Sequence, residues 1–353
     1  TAVAITIGLG LATVFEPGAG LNMTMESSTA VAKEAPPLVQ TLLNIIPKNP
    51  ISALASGNIL QIIFFALGLG IALTLIGEKA APAIKVFESL AEGMYKLTEM
   101  VMKLAPYGVF GLMAWVAGKY GLDILLPLIK LVALVYIGCL LHVAVVYSGL
   151  ISLIGGLSPV RYLKGLLNPA AIAFTTTSSS GTLPATIKAA REEMGVSKGI
   201  ASFVLPLGAT INMDGTAIMQ GVATVFIAQA FGIDLTIQQM AVVVGTAVAA
   251  SVGTAAVPGV GIVMLAMVLN QVNIPTEGIA LIIGVDRLLD MMRTAVNTSG
   301  DLAATVVIAK SEGEHDADIF NNVDSDSDDS IVVPQVLTEP APTDKPNLKV
   351  LID

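Results

Sequence analysis

The chain has 353 residues, 54% hydrophobic and only 13% charged, with a mean hydropathy of +0.79. Soluble domains carry about a quarter charged residues, so this composition excludes a soluble globular protein and identifies an integral, multi-pass membrane protein. The formal charge of -9 is no guide to a ligand, because eleven acidic residues against Lys345 and Lys349 lie beyond Ser311 and account for it; the apolar part is neutral and offers no nucleic-acid face. Cys139 alone excludes an internal disulfide and a thiolate metal cluster.

In chain order, Thr1 to Phe15 is apolar and has neither an initiator Met nor a basic leader. At about 1.5 Å per residue it is too short to cross roughly 30 Å of hydrocarbon, so it reads as the end of a helix whose start lies outside the sequence. A turn-like EPGAG follows, then a polar stretch to Pro37 and an interrupted apolar region from Leu38 to Gly77. Lys79 to Lys103 carries mixed charges at helical spacing, and Tyr107 to Ala117 is apolar. Ile124 to Gly156 holds one charge, Lys130, and is long enough for a tilted spanning helix.

Beyond Arg161 the pattern changes. Residues 165 to 187 hold no charge, yet TTTSSSGTLP, Thr175 to Pro184, sits in the middle, and a run of hydroxyls ending in Gly and Pro breaks a helix into arms too short to span. Leu235 to Thr276 repeats the arrangement around SVGTAAVPGVG, Ser251 to Gly261. Both read as re-entrant helical hairpins, whose tips must line a polar cavity because exposed backbone is not tolerated against lipid. Between them Gly199 to Gly232 is a helix interrupted by NMDGT, Asn212 to Thr216, where unwinding frees backbone carbonyls as hard-oxygen ligands for an alkali cation. Two interrupted segments at corresponding positions predict inverted repeats with substrate and coupling ion between them. Close packing of small residues is the competing reading for each segment.

The last apolar segment contains DRLLDMMRTAVNTSGD. Asp286, Asp290, Arg293, Asn297 and Asp301 fall at steps of four, three, four and four, which places them on one helix face. Each charge costs about 2.5 to 3.5 kcal/mol in a membrane, so that face must meet a polar interior. Asp290 and Arg293 could merely neutralise one another, but that brace leaves Asp286, Asn297 and Asp301 without a role. A guanidinium for one carboxylate, a carboxylate for an ammonium and amide donors for a second carboxylate suit an acidic amino acid, and the spare carboxylates suit cations.

TTTSSSGTLPATI, LPLGATINMDGTAI, SVGTAAVPGVG and LLDMMRTAVNTSGD, in this order, resemble the signature regions of the glutamate transporter family, the sodium- or proton-coupled symporters of dicarboxylates and acidic amino acids. The resemblance covers Thr1 to about Lys310. It implies an all-α membrane fold with two re-entrant hairpins, a broken helix, inverted repeats and an elevator-type movement. Residues 1–20 would end the third transmembrane helix and 38–118 would form scaffold helices four and five. Residues 119–310 would form the transport domain, with helix six, a hairpin at 159–193, the broken helix at 197–232, a hairpin at 235–272 and the last helix at 276–310. Residues 311–353, acidic and of low hydrophobicity, would be a disordered cytoplasmic tail.

Carried across position by position, the resemblance implies that Arg293 binds the substrate's side-chain carboxylate, Asp290 its ammonium group, and Asn297 and Ser179 its α-carboxylate. Thr216, Thr294, Thr177, Val257 and Gly261 would complete the pocket. One sodium would lie among the carbonyls of Gly208, Asn212 and Asn297 and the carboxylate of Asp301. A second would use the side chains of Asn212 and Asp214, and a third the carbonyls of Thr210, Ser251, Val252 and Thr254. Aspartate or glutamate is the implied substrate, sodium the implied coupling ion with a proton as the alternative, and a homotrimer in the cytoplasmic membrane the implied assembly. The nearest rival is a proton-coupled C4-dicarboxylate symporter, whose substrate has no ammonium for Asp290. An intramembrane serine hydrolase built on Ser178 to Ser180 lacks a base, because neither His142 nor His315 lies in a broken segment.

Overall fold

The computed structural model describes residues 1–21, 46–56, 59–102, 124–251 and 259–321, with scattered positions between 103 and 123. These residues form one unit that is mostly helical, and the one β-type pairing among them is an isolated bridge between Val196 and His315. The expected all-α architecture is therefore present. Of the expected site residues, Val252, Thr254 and Val257 lie outside the described residues, as does the acidic tail from 322 onward.

Helix α1 (Ala2–Phe15) is apolar and is followed by the turn read from EPGAG. Helices α2 (Pro50–Ser56), α3 (Ile59–Leu75) and α4 (Ala81–Met102) come next, α4 being the amphipathic segment read from its mixed charges. Helix α5 (Leu125–Leu141) continues through two wide π turns, His142–Tyr147 and Leu150–Ile154. Leu125–Ile154 is the one helix among the described residues long and apolar enough to cross a membrane, at 30 residues.

The segment around TTTSSSGTLP forms two packed helices, α6 (Pro159–Thr176) and α7 (Ser179–Glu192). The break falls at Thr177 and Ser178 rather than at the Gly-Pro end of the run. Thr177 takes a left-handed conformation at φ 54°, and the Ser178 hydroxyl accepts from the Gly181 N–H at 3.0 Å, an N-cap that starts the new helix there. The sequence NMDGT likewise separates α8 (Lys198–Ile211) from α9 (Asp214–Ala230) at Asn212 and Met213. Helices α10 (Ile237–Ser251) and α11 (Val260–Gln271) flank the second interruption. The last apolar segment is not one helix. A short α12 (Ile279–Ile283) ends at Gly284 and Val285, where Val285 turns back to the Ile282 carbonyl at 2.9 Å, and α13 (Asp286–Ser311) starts afresh. Helix α14 (Ala317–Asn321) closes the described chain.

The main apolar cluster buries α9 almost along its whole length, and a small second cluster gathers Ala250, Met264 and Met267. Backbone meets backbone closely in the main one: a Cβ at Gly8 of α1 would sit 2.4 Å from the Ile218 carbonyl oxygen of α9. Small residues allow this approach between membrane helices, and a carbonyl cannot step aside. Gly8→Ala should therefore cost about 1–3 kcal/mol by overpacking, read as a lower thermal midpoint in detergent. Gly10→Ala, which meets nothing within 4 Å, should leave the midpoint unchanged or raised.

At one end of the bundle the chain after α13 clasps the loop between α7 and α8. Ser197 donates its N–H to the Glu314 carbonyl at 3.1 Å and Asp316 to the Gly195 carbonyl at 2.7 Å, while the Ser197 hydroxyl bonds the Glu314 carboxylate. Burial, and then the charge of Lys310, hold the His315 imidazole below the ordinary histidine range against a smaller pull from Asp316. The neutral ring is thus the one the clasp accommodates. Its contribution is in place above about pH 6.5, the unfolded value, and is lost as the pH falls from there toward the lowered folded value. Amide exchange at Ser197 and Asp316, corrected for intrinsic rates, should be less protected at acid pH than at neutral pH. His315→Phe should abolish that difference.

Candidate functional site

The five residues of the predicted stripe lie on α13, and four of them, Asp290, Arg293, Asn297 and Asp301, are buried. Neighbouring elements fix α13 through its backbone. Tyr136 of α5 donates to the Leu288 carbonyl at 2.9 Å, Tyr162 of α6 donates to the Ser299 carbonyl at 2.7 Å, and a Cβ on Gly215 of α9 would meet the Arg293 carbonyl oxygen at 2.4 Å. A helix so held presents its polar face at a set depth, which a binding site requires.

Arg293 is 1% exposed. Its Nη2 lies 2.9 Å from Asp290 Oδ1 and 3.1 Å from Asp286 Oδ1, so Asp286 joins the charge brace instead of standing apart from it. The brace reading thus accounts for one more residue than the spacing alone suggested. It still leaves donors over: among the described residues Nε and Nη1 have no hydrogen-bond partner, while Nη2 is engaged by both carboxylates as charge pairs. Gly261 of α11 lies against the guanidinium, where a Cβ would be 2.4 Å from Nη1, and the Gly259 N–H donates to Asp290 Oδ2 at 3.1 Å. A fixed cation with donors left unpartnered among the described residues, beside a carboxylate, has the chemistry to receive an anion.

One turn further along, the Asn297 side chain crosses to the broken helix. Its Oδ1 accepts from the Gly215 N–H at 2.8 Å and its Nδ2 lies 3.3 Å from Thr216 Oγ1. Asn212, at the break itself, donates to the Asn297 carbonyl at 3.2 Å and to Asp301 Oδ1 at 3.1 Å. The Asp301 carboxylate packs on Gly208, where a Cβ would be 2.7 Å away. Gly208, Asn212, Asn297 and Asp301 are therefore brought together, and a carboxylate with backbone carbonyls is the hard-oxygen donor set an alkali cation takes.

The other expected groupings fare differently. Asn212 turns toward Asp301, whereas Asp214 is bound by Thr1 Oγ1 at 2.8 Å, Tyr147 Oη at 2.9 Å and His142 Nε2 at 3.1 Å. Gly300 stands between the two groups, with an added Cβ 2.3 Å from Tyr147 Oη and 2.4 Å from Asn212 Nδ2. The side chains of Asn212 and Asp214 thus do not pair, because each has a nearer partner. Thr210 and Ser251 bond their hydroxyls back into their own helices, at 2.9 Å to Leu207 and 2.8 Å to Val248, at helix ends where backbone carbonyls lack intrahelical partners. Ser179 and Thr294 are buried and Thr177 stands at the hairpin tip. The spacing arguments gave no role to His142 and Tyr147, although the π turn that carries both is the kind of irregularity often found at functional sites.

A polar, charge-lined interior in a bundle of apolar helices fits a protein that handles ions or polar solutes in a membrane, and the comparisons with known proteins identify it as a transporter. The sodium:dicarboxylate symporter family matches residues 1–311, and the chain belongs to that family. The chain is 39% identical over 323 residues to a proton/sodium-glutamate symport protein of Bacillus caldotenax, covering 89% of this chain and 76% of that one. To a proton/glutamate-aspartate symporter of Escherichia coli it is 41% identical over 327 residues, with 90% and 74% covered. To a C4-dicarboxylate transport protein of Rhodospirillum rubrum it is 40% identical over 324 residues, with 90% and 72% covered. The chain is accordingly an integral membrane transporter.

Proposed function

We propose that the chain carries an acidic amino acid, aspartate or glutamate, across the cytoplasmic membrane together with sodium. The observation that carries this reading is the buried Arg293, whose Nε and Nη1 have no partner among the described residues, set beside Asp290 and one turn from Asn297. Arg293 would take the side-chain carboxylate, Asp290 the ammonium, and Asn297 and Ser179 the α-carboxylate, with Thr177, Thr216, Thr294, Val257 and Gly261 around them. Sodium, moved as cargo, would sit on the Gly208, Asn212, Asn297 and Asp301 oxygens. Asp214 and the carbonyls of Thr210, Ser251, Val252 and Thr254 would serve further ions. The α6–α7 and α10–α11 pairs would be re-entrant hairpins, the second acting as the outer gate.

Residues 1–20 and 119–310 would slide as one unit past a static scaffold of 38–118 in a homotrimer, with the acidic tail in the cytoplasm. A second reading has an observation of its own: Asp290 already has partners in Arg293 and the Gly259 N–H, so a dicarboxylate without an ammonium, coupled to protons, would also leave it satisfied. Calorimetry of L-aspartate binding in sodium against choline buffer, with succinate as competitor, separates the two. Sodium-dependent binding that ignores succinate supports the first reading. Equal binding of succinate, or indifference to sodium, supports the second.

A further inference from the structure

Arg287 lies beside the stripe, on the exposed side of the first turn of α13, and spans to the tip of the α6–α7 pair. Its Nη1 is 2.5 Å from Thr177 Oγ1 and its Nη2 donates to the Thr175 carbonyl at 3.4 Å. Thr177 is buried, takes the left-handed conformation, and directs its own hydroxyl proton to the Thr176 carbonyl at 2.7 Å. Left-handed backbone is unfavourable for a β-branched residue and persists only where surrounding contacts hold it. The Arg287 fork supplies such contacts at the strained residue itself and two residues before it. A lysine, with one point of charge, could not reach hydroxyl and carbonyl in that way.

The next two residues tie this contact to the site. Ser178 is the N-cap that starts α7, and Ser179 is the first residue inside it and is buried. Where Thr177 is held therefore determines where Ser179 stands. Arg287 is joined in sequence to Asp286, which faces Arg293. One short stretch of α13 thus grips the guanidinium on one side and the hairpin tip on the other.

We propose that Arg287 is a positioning residue that latches the tip of the α6–α7 pair to the start of α13 and so sets the distance between Ser179 and Arg293. In the functional reading above, on which the consequence for affinity rests, these two residues take opposite ends of one substrate. The latch makes that distance a fixed span, which selects substrates by the separation of their carboxylates.

The test uses the full-length carrier in detergent as wild type, Arg287→Ala, Arg287→Lys, Thr177→Val and the Arg287→Ala/Thr177→Val double variant. Hydrogen exchange over residues 175–183 is measured without substrate, and L-aspartate affinity is measured by calorimetry in sodium. Losing hydrogen bonds from a charged donor should speed tip exchange and weaken aspartate each by about tenfold in Arg287→Ala. Thr177→Val should act in the same direction, and the double variant should be no worse than the worse single, since both remove one contact. Arg287→Lys should recover only part of either loss. Unchanged tip exchange in Arg287→Ala, or single effects that multiply in the double variant, would overturn the latch. So would exchange that rises equally in α9, which would mark a general loss of stability. If the wild type fails to bind aspartate, the substrate reading falls while the exchange measurement still decides the latch.

Discussion

Arg293→Ala should abolish measurable binding of the acidic substrate while leaving the helical fold assembled. The guanidinium is the buried cation closest to two carboxylates, and breaking such a group costs about 3–5 kcal/mol, equivalent to roughly a hundredfold or more in affinity. Because truncation leaves Asp286 and Asp290 facing one another without a counter-charge, a loss of binding could come from collapse of the site. Arg293→Lys separates the causes. It keeps a positive charge between the two acids but removes the planar pair of donors, so it should preserve the thermal midpoint and still lose most of the affinity. Calorimetry and circular dichroism on the same samples check both. A lysine variant that binds as wild type does would show that Arg293 serves the brace alone.

How legible all this was in the sequence follows from the range of each interaction. The stripe on α13 was readable because its residues are three or four apart, and a helix converts that spacing into one face without help from the rest of the chain. The breaks at Asn212–Met213 and Thr177–Ser178 were readable because Asn, Asp and Ser compete locally for backbone hydrogen bonds. The finer position of the first break was not: Pro184 looked like the breaker, yet it falls early in α7 once the Ser178 cap has moved the start of that helix. The division of α12 from α13 carried only one weak sign, Gly284. Contacts between residues far apart in sequence left no mark at all. His142 lies in an unbroken apolar run, and nothing local connects it with Asp214, 72 residues on. The charge of Asp286 was visible, but its sharing of Arg293 with Asp290 depends on side-chain rotamers that spacing does not fix.

On the sodium-coupled reading proposed above, Asp301→Asn should uncouple binding from sodium. Asp301 is 4% exposed, and the partner of its carboxylate is a neutral amide, Asn212 Nδ2 at 3.1 Å. A buried carboxylate without a cationic partner is costly, and among the described residues the surroundings of Asp301 offer oxygen and no cation: the Asn297 carbonyl also converges on Asn212. The missing charge must then come from outside the chain, as an alkali cation or as a proton. With asparagine in place of Asp301 the charge to be balanced is gone. Aspartate affinity in sodium should fall by about a hundredfold, to the level the wild type shows in choline, and should no longer change with sodium. Gly208→Ala tests the same site sterically. Its methyl would lie 2.7 Å from Asp301 Oδ1, so it should raise the sodium concentration required while leaving the dependence itself intact. If the wild type in choline instead gains affinity as the pH is lowered, and Asp301→Asn removes that gain, the proton is the charge this carboxylate takes. The geometry of the site then stands, and the coupling ion assigned to it changes.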